Sequence, residues 1–269
     1  MDGMEKSAGR PRKTAEESST GRQVLAVRMG RGRTGGSTLL DWLVQRARSE
    51  GRGVAVGDGD RRNPTLAGLY SPSTPGGATQ PVTDETADVK DWITAQLAEM
   101  VALRTSLVLD LGGGDRVLSE YGRDLGLVDF CAMSGIEPLA LFMSGPEMDD
   151  FEHVLTIWQA GYFRPGRAVL VFNEHLIAQG RTPTGAFDPI MRRPEMDQMM
   201  AQGLRVIFMP RLPCMSEMRR AGLSFLDAVA NKAGSDGKPL DPVRQFMVST
   251  WHKRMLKEFS EAGTLEWLP

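Results

Sequence analysis

The sequence predicts an α/β protein built on a doubly wound, mainly parallel sheet. Short apolar runs alternate with helical patterns between residues 24 and 209, which is typical of parallel strands joined by crossover helices on both faces. Three of these runs end in glycines or carboxylates, at the edge where open α/β sheets bind ligands. The 269 residues are 41% hydrophobic and 25% charged, which suits one large domain with a sizeable core.

The charge balance is nearly even. The chain carries 32 Lys and Arg against 34 Asp and Glu, so no global excess of charge indicates a nucleic-acid or membrane surface. Any DNA contact is therefore restricted to a local patch. Cys131 and Cys214 lack the spacing of metal ligands, and neither a signal peptide nor a membrane-spanning apolar run is present. We therefore expect a cytoplasmic protein without a transmembrane segment.

The first 22 residues differ in composition from the rest. Residues 1–22 contain almost no bulky apolar side chains and mix basic with acidic residues, which predicts a disordered tail. The basic half of this tail is open to contact with DNA or another acidic surface, and the simpler alternative is a solvated leader. Residues 23–269 then form a single domain.

A glycine-rich loop follows the first predicted strand. The apolar run Val24–Val27 leads into residues 30–37 (GRGRTGGS), and apolar residues recur at helical spacing over residues 39–47. In G-x-x-x-x-G-K-[ST] loops, small residues let backbone N–H groups turn inward around phosphate oxygens at a helix N-terminus. Gly36 stands where that pattern has its lysine. The alternative interpretation is a plain strand-to-helix turn.

Two further strands end in carboxylates. Val54–Gly57 leads into Asp58 and Asp60, whose carboxylates suit a magnesium ion or a bound water. Asp110 ends the strand that begins at Ser106, and three glycines at residues 112–114 follow it. An aspartate in this place lies near magnesium in P-loop proteins. The alternative is a solvated aspartate before a flexible turn.

The remaining elements complete the alternating pattern. Ser71–Thr83 is rich in Pro, Gly, Ser and Thr and is predicted to be a loop, whereas Asp88–Leu103 has helical spacing. Further strands are predicted at Pro138–Met143, Arg167–Asn173 and Leu204–Met209.

These motifs resemble the deviant Walker A ATPases of the ParA/MinD type, which carry K-G-G-x-G-K-[ST]-T followed by a D-x-D and N-x-T stretch. Residues 31–38 (RGRTGGST) and 58–65 (DGDRRNPT) share that layout. Arg31 falls on the family's signature lysine, and Arg33 replaces a glycine. Gly36 replaces the lysine that contacts the β- and γ-phosphates.

The resemblance implies a P-loop NTPase fold that binds ATP and Mg²⁺ and forms a homodimer around nucleotide. It places Ser37, Asp58 and Asp110 at the metal. It also implies that Asp60 orients the attacking water and that Arg31 reaches the partner's nucleotide. The implied nucleotide-binding residues are Gly30, Arg31, Gly32, Arg33, Thr34, Gly35, Gly36, Ser37 and Thr38.

Two later residues extend the implied nucleotide site to the base. Asn173 ends a strand where relatives of this fold present a side chain to the base edge, and Pro210 follows a strand as in the family's proline turn beside adenine. The alternative is that both residues only end their strands.

The C-terminal third is similar to the end of the TraL-type conjugal transfer proteins, a ParA-like branch. The similarity covers residues 222–229 and 241–261, where Asp241 and Pro242 predict the N-cap and first residue of a helix. A modest basic face leaves membrane binding, as in MinD-like relatives, as an alternative to packing on the sheet. The apolar stripe expected to pack on the sheet is Val243, Phe246, Met247, Trp251, Met255 and Phe259.

The sequence therefore favours a ParA/MinD-like ATP-binding protein, a weak or slow ATPase that acts as a nucleotide-dependent dimer with other proteins of plasmid conjugal transfer or partition. The alternative is a pseudo-ATPase that serves as an interaction module of a conjugation apparatus. A sugar or nucleotide kinase on the same fold is disfavoured because no acceptor-site motif is present. Arg31 and Arg33 are expected to supply the charge of the missing lysine, in which case Gly36→Lys should raise affinity only modestly. The alternative is that both arginines are solvated loop charges.

Overall fold

Seven parallel strands form one sheet in the computed structural model of the chain, which describes residues 22–112 and 115–269. The expected disordered tail, apart from Arg22, and two of the three glycines after Asp110 lie outside the described residues. The predicted α/β fold with a doubly wound parallel sheet is confirmed. The strands are β1 (Gln23–Met29), β2 (Val54–Asp58), β3 (Ala78–Thr79), β4 (Ser106–Asp110), β5 (Ile136–Ser144), β6 (Ala168–Asn173) and β7 (Arg205–Met209).

Helices connect the strands and cover both faces of the sheet. In the part of the chain that the structure describes, no helix has both the length and the apolar character needed to cross a bilayer. The α-helices are α1 (Gly36–Ser49), α2 (Thr65–Leu69), α3 (Thr86–Leu103), α4 (Asp115–Leu125), α5 (Leu127–Met133), α6 (Met148–Ala160), α7 (Pro183–Met191), α8 (Pro194–Ala201), α9 (Met215–Arg220), α10 (Phe225–Val229) and α11 (Pro242–Glu261), with 3₁₀ turns at Glu174–Leu176 and Leu265–Trp267.

The winding of the chain reverses at the centre of the sheet. The strand order is β3-β2-β4-β1-β5-β6-β7, so β1 and β4 are neighbours although β2 and β3 separate them in sequence. The helix after β1 buries Leu39 and Leu43 in the core of one face, and the helix after β4 buries Leu118 in the core of the other. Open α/β sheets bind ligands in the crevice formed where two such connections leave in opposite directions.

Two aromatic-rich cores bury both faces of the sheet. On the face of α1, Trp42 stacks on Phe259 of α11 with ring centroids 5.5 Å apart. On the other face, Phe172 of β6 packs against Phe187 of α7 at 4.7 Å. Burial on both faces explains why the strands are continuously apolar in sequence rather than alternating.

One strand was missed by the sequence pattern. The predicted loop Ser71–Thr83 contains β3, in which Ala78 and Thr79 pair in parallel with Val56 and Gly57 of β2. A two-residue edge strand among glycines and prolines has no alternation that a sequence pattern can show. The pairing depends on contacts with residues distant in sequence, on β2 and at Gln96 of α3.

The predicted apolar stripe of α11 is wrong in its first half. Val248 joins Trp251, Met255 and Phe259 in the core, whereas Phe246 is 72% exposed. Two residues turn a helix by about 200°, so Phe246 lies on the face opposite to Val248. Val243 and Met247 are also exposed. The start of α11 is as predicted, because the Asp241 carboxylate accepts hydrogen bonds from the backbone N–H groups of residues 243 and 244.

Candidate functional site

The loop between β1 and α1 has two positions that only glycine fills without strain. Gly30 has a φ of 118°, and a Cβ there would lie 2.6 Å from the carbonyl oxygen of Met143 on β5. Gly35 has a φ of 91°, and its Cβ would lie 2.2 Å from Nδ2 of Asn173 on β6. These positive φ values and close approaches explain the glycine pattern physically. The loop is packed tightly against the ends of two neighbouring strands.

The N-terminus of α1 faces this loop without a cap. Gly35 is the N-cap residue, no side chain among the described residues caps the helix, and no acidic residue lies in its first turn. The first N–H groups of a helix lack intrahelical partners, and the helix dipole makes this end positive. The end of α1 therefore favours an anion.

A cavity of about 190 Å³, here named the loop cavity, opens beside the loop. It brings together most of the residues that the sequence predicts for the phosphates and the attacking water. Gly30, Arg31, Thr34 and Asp58 are not part of its lining. The lining consists of Arg28, Gly32, Arg33, Gly35, Gly36, Ser37, Thr38, Asp60, Asn63, Thr65, Asp110 and Gly112.

Arg28, on β1, is the site residue that the sequence analysis missed. Its side chain is buried, with 3% of the residue exposed, and donates a hydrogen bond of 2.8 Å to Oγ1 of Thr34. It also donates to the carbonyl oxygens of Arg31 and Gly112. A charged residue at the end of a buried strand, beside a loop that lacks its lysine, is the sequence signal that could have identified it.

Arg28 occupies the space next to Gly36. A Cβ on Gly36 would lie 2.2 Å from Nε of Arg28 and 2.7 Å from its Cγ and Cδ. The glycine is therefore required by the arginine that covers it. This overlap changes the expectation for Gly36→Lys, because a lysine cannot enter while Arg28 keeps its position.

Three strand ends align their polar side chains on one face of the sheet. Arg28 pairs in register with Asp110, which pairs with Asp58 on the next strand. Oδ2 of Asp110 accepts a hydrogen bond of 2.6 Å from the Ser37 hydroxyl, and Oδ1 accepts one of 3.0 Å from the N–H of Gly112. The predicted metal ligands Asp58 and Asp110 thus lie at neighbouring strand ends, and Ser37, in the first turn of α1, is hydrogen-bonded to Asp110.

Asp58 is buried and has a perturbed acidity. Its pKa is raised to about 6, mainly by burial and also by the nearby Asp110, while the N–H of Ala67 opposes the rise by donating to the carboxylate at 2.8 Å. Among the described residues no cluster of three His, Cys, Asp or Glu side chains is poised for a metal. The available donors are two carboxylates and a hydroxyl, which are oxygen ligands of the kind that Mg²⁺ takes together with waters and phosphates.

Asp60 lies at the mouth of the loop cavity. Its carboxylate accepts a hydrogen bond of 3.0 Å from the N–H of Asn63, and a Cβ on Gly112 would lie 2.7 Å from its Cγ. Asp60 also lines a second opening of about 330 Å³ with Arg61 and Asp84. Its carboxylate is therefore held between the turn after β4 and solvent.

The two loop arginines differ in their surroundings. Arg31 extends outward to α6, where its guanidinium lies 3.4 Å from Asp150 and 3.9 Å from Asp149. Arg33 has a φ of 65°, is exposed, and its side chain pairs with none of the described residues. Arg33 lines the loop cavity, whereas Arg31 does not.

An adjoining cavity of about 120 Å³, here named the Asn173 cavity, shares Arg33, Gly35 and Thr38 with the loop cavity. It contains the two residues predicted for the base. Its other lining residues are Asn173, His175, Leu176, Met209, Pro210, Leu212, Met215 and Trp251.

The amide of Asn173 is engaged within the chain. Its Nδ2 donates to the carbonyl of Thr34 at 2.9 Å, and its Oδ1 accepts from the N–H of His175 at 3.0 Å. Pro210 accepts a hydrogen bond of 2.7 Å from the indole of Trp251. Asn173 thus fixes the loop from β6, and its contact with a base stays a prediction.

No protein-family model matches the chain, and no curated protein matches it in sequence. Its structure is similar to the signal recognition particle receptor FtsY from Elizabethkingia anophelis, at 14% identity and a TM-score of 0.44, over 87% of this chain and 66% of that one. It is similar to chloroplast FtsY from Physcomitrella patens at 13% identity and a TM-score of 0.47, with coverage of 87% and 66%. It is also similar to the MinD cell division protein from Aquifex aeolicus at 14% identity and a TM-score of 0.45, with coverage of 88% and 98%. The chain spans just under two thirds of the length of the FtsY structures that it matches.

Proposed function

We propose that the chain binds ATP with Mg²⁺ at the loop cavity, as a ParA/MinD-like protein with weak or slow ATPase activity. The observation that carries this proposal is the junction of two cavities of different character, which share Arg33, Gly35 and Thr38. The loop cavity offers N–H groups and a buried guanidinium, and the Asn173 cavity offers mainly apolar side chains. A nucleotide has the same division between its phosphates and its base.

The residues of the loop cavity fit a phosphate chain and a magnesium ion. The uncapped N-terminus of α1 suits phosphate oxygens. Ser37 and Asp110 in the lining, with Asp58 beside Asp110 on the next strand, would hold Mg²⁺. When bound, the ion neutralises phosphate charge and polarises phosphoryl oxygens. The chain holds the Asp110 carboxylate in place through hydrogen bonds from Ser37 and Gly112.

Asp60 and Arg31 take the two catalytic roles. Asp60 is assigned to orient the attacking water, because its carboxylate is fixed by Asn63 at the mouth of the loop cavity. Arg31 is assigned to the nucleotide of a second copy, because it lies outside its own loop cavity on the protein surface. The Arg31 side chain is 48% exposed, and its contact with the exposed Asp149 exchanges at small cost.

The cellular role assigned to this activity is plasmid conjugal transfer or partition, as a nucleotide-dependent homodimer. The support is the similarity of residues 222–229 and 241–261 to TraL-type proteins, together with the exposed apolar residues Val243 and Phe246 on α11. Exposed apolar surface of this kind favours contact with another protein.

The alternative function is a pseudo-ATPase that serves as an interaction module of a conjugation apparatus. The observation that favours it is the guanidinium of Arg28, which is already bonded to the carbonyls of Arg31 and Gly112 inside the loop. In that case the loop is closed by its own side chain.

Calorimetric titration with ATP and ADP, with and without Mg²⁺, tests the proposal and is followed by a turnover assay. Magnesium-dependent binding with slow phosphate release is the expected result. Binding without turnover would favour the pseudo-ATPase, and the absence of heat at millimolar nucleotide would exclude nucleotide binding.

A further inference from the structure

We infer that Arg28 performs the phosphate-binding task of the missing lysine, from the end of β1 rather than from the start of α1. This inference rests on the proposed function, because it concerns the ligand of the same loop cavity. The ligand class is the polyphosphate chain of a nucleotide. Arg28 then supplies the positive charge of the lysine, and Gly36 leaves the space that the Arg28 side chain needs.

The position of Arg28 is the first argument. Its side chain passes directly over the Cα of Gly36, where a Cβ would lie 2.2 Å from Nε. An arginine at position 28 and a side chain at position 36 therefore exclude each other. The cation of Arg28 starts from a different strand but occupies the place from which a lysine at position 36 would extend.

The charge of Arg28 is the second argument. Only 3% of the residue is exposed, yet no carboxylate among the described residues lies within 4.0 Å of its guanidinium. Its described partners are two carbonyl oxygens and the hydroxyl of Thr34. A buried charge with only neutral partners is costly, and an anion in the adjoining cavity offsets that cost.

The unpaired Nε of Arg28 is the third argument. Within the described part of the chain this buried donor has no hydrogen-bond acceptor. Buried donors are nearly always satisfied, so an unpaired donor on a side chain that lines a cavity favours a ligand acceptor there. Nε lies over the first turn of α1, whose N–H groups are uncapped by any described side chain. Donors of two kinds thus converge on one place, and a guanidinium suits phosphate oxygens.

The competing explanation is that Arg28 closes the loop and keeps phosphate out. That role leaves Nε without a described acceptor, whereas a phosphate oxygen would supply one. The two explanations predict opposite effects of removing the guanidinium. Loss of Arg28 weakens phosphate binding in the first case and strengthens it in the second.

The test compares Arg28→Met and Arg28→Lys with the wild type by calorimetry, using ATP, ADP and adenosine in the presence of Mg²⁺. Arg28→Met keeps the apolar stem and should lower ATP affinity about ten- to hundredfold, the range of a lost charge-assisted contact. Adenosine affinity should not change, and Arg28→Lys should retain most of the ATP affinity. The matched control is Arg46→Met, because Nη1 of Arg46 is also a buried nitrogen without a described acceptor, while its Nε pairs with Glu50. Arg46 lies about 15 Å from Gly36 along α1.

Moving the positive charge from position 28 to position 36 provides an independent test. Gly36→Lys alone should lower the melting temperature, because the new side chain overlaps Arg28. The same change in an Arg28→Ala background should be tolerated, and the double variant should bind ATP at least tenfold more tightly than Arg28→Ala. The thermal part of this cycle needs no nucleotide.

The outcomes separate this inference from the proposed function. A wild type that binds ATP, with Arg28→Met binding equally or more tightly, would overturn the inference and leave nucleotide binding intact. A wild type that binds no nucleotide would remove the proposed function and the inference with it. If circular dichroism shows that Arg28→Met is unfolded, the double variant decides: a folded double variant that binds no ATP overturns the inference.

Discussion

The loop cavity and the Asn173 cavity meet at Gly35 but are lined by different kinds of groups. The loop cavity is lined by backbone and by charged side chains at strand ends, which hydrogen bonds hold in place, as in Asp110 with Ser37. The Asn173 cavity is lined by side chains such as Leu212 and Trp251, which also belong to the hydrophobic core. One cavity therefore depends on charge, and the other depends on packing.

Because of this difference, we expect substitutions in the loop cavity to affect mainly binding and turnover, and substitutions in the Asn173 cavity to affect mainly stability. Removing a charged group at the rim of the loop cavity changes what is bound or turned over, while few packing contacts are lost. Removing a side chain from the Asn173 cavity creates a void in the core of the α1 face, so stability falls first. Five predictions test this separation, beginning with the largest effect.

The largest effect is expected for Asp60→Ala on turnover. Loss of a residue that orients or activates the attacking water should slow ATP hydrolysis about a hundredfold or more. The free energy of unfolding should fall by about 1 kcal/mol or less, because among the described residues the carboxylate loses one hydrogen bond, the one from Asn63. Phosphate release and urea denaturation measure the two quantities. Asp84→Ala, on the neighbouring opening, is the control, and equal turnover of Asp60→Ala and wild type would remove the catalytic assignment.

The opposite pattern is expected for Trp251→Ala. Trp251 is 3% exposed and stacks on Phe225 with centroids 4.6 Å apart, so its loss should lower the free energy of unfolding by about 3–5 kcal/mol. Nucleotide binding should weaken as the Asn173 cavity collapses or widens. The control on the same helix is the exposed Phe246→Ala, which should cost about 0.5 kcal/mol or less. Similar urea midpoints for both variants would show that packing does not define this cavity.

The pH dependence of stability should reveal Asp58. Burial raises its pKa in the folded protein from 3.8 to about 6, so the folded state binds the proton more tightly than the unfolded state. The contribution of Asp58 to stability is therefore largest in acid and is lost as the pH rises through 6. Relative to Asp58→Asn, the wild type should lose about 2 kcal/mol between about pH 4.5 and pH 7. Urea denaturation across this range measures the difference, and parallel curves for the two proteins would contradict it.

Adding Mg²⁺ with nucleotide to the same measurement tests whether Asp58 is a metal ligand. A carboxylate must be ionised to hold the ion, so Mg²⁺ with nucleotide should stabilise the wild type at neutral pH and lose this effect below pH 6. Asp58→Asn should show little magnesium effect at either pH. A magnesium effect in wild type that does not depend on pH would remove Asp58 from the metal ligands.

The smallest effects are expected for the two loop arginines. Arg31→Ala should weaken nucleotide-dependent dimerisation, and Arg33→Ala should weaken ATP binding by the monomer, each by about tenfold or less because exposed charges contribute little. Light scattering and calorimetry with a non-hydrolysable ATP analogue distinguish the two effects. Equal masses and affinities for wild type and both variants would make the arginines bystanders.

Sequence patterns located most of the candidate site because they report on the local chain. Glycines at positions 30 and 35 are needed where the loop touches β5 and β6, and carboxylates after apolar runs mark strand ends. Asp241 could be identified as an N-cap because capping involves only the next three residues. The start of α11 and the predicted strands agree with the structure within two residues for the same reason.

Other features depend on contacts between distant parts of the chain. The two residues of β3 form a strand only because β2 lies beside them, and Phe246 is exposed because the sheet meets the other face of α11. The role of Arg28 requires the register of three strands, Gly36 and the carbonyl of Gly112 together.

The sequence by itself thus determined the class of fold, the glycine-rich loop and the positions of the carboxylates, since each follows from backbone sterics and hydrophobic periodicity over a few residues. Only the tertiary structure showed that the guanidinium of Arg28 lies inside the loop. An arginine side chain is long enough to reach a loop from a neighbouring strand, so the place of its charge is determined by packing and not by its position in a motif. For that reason the missing lysine was visible in the sequence, whereas its candidate replacement at Arg28 was not.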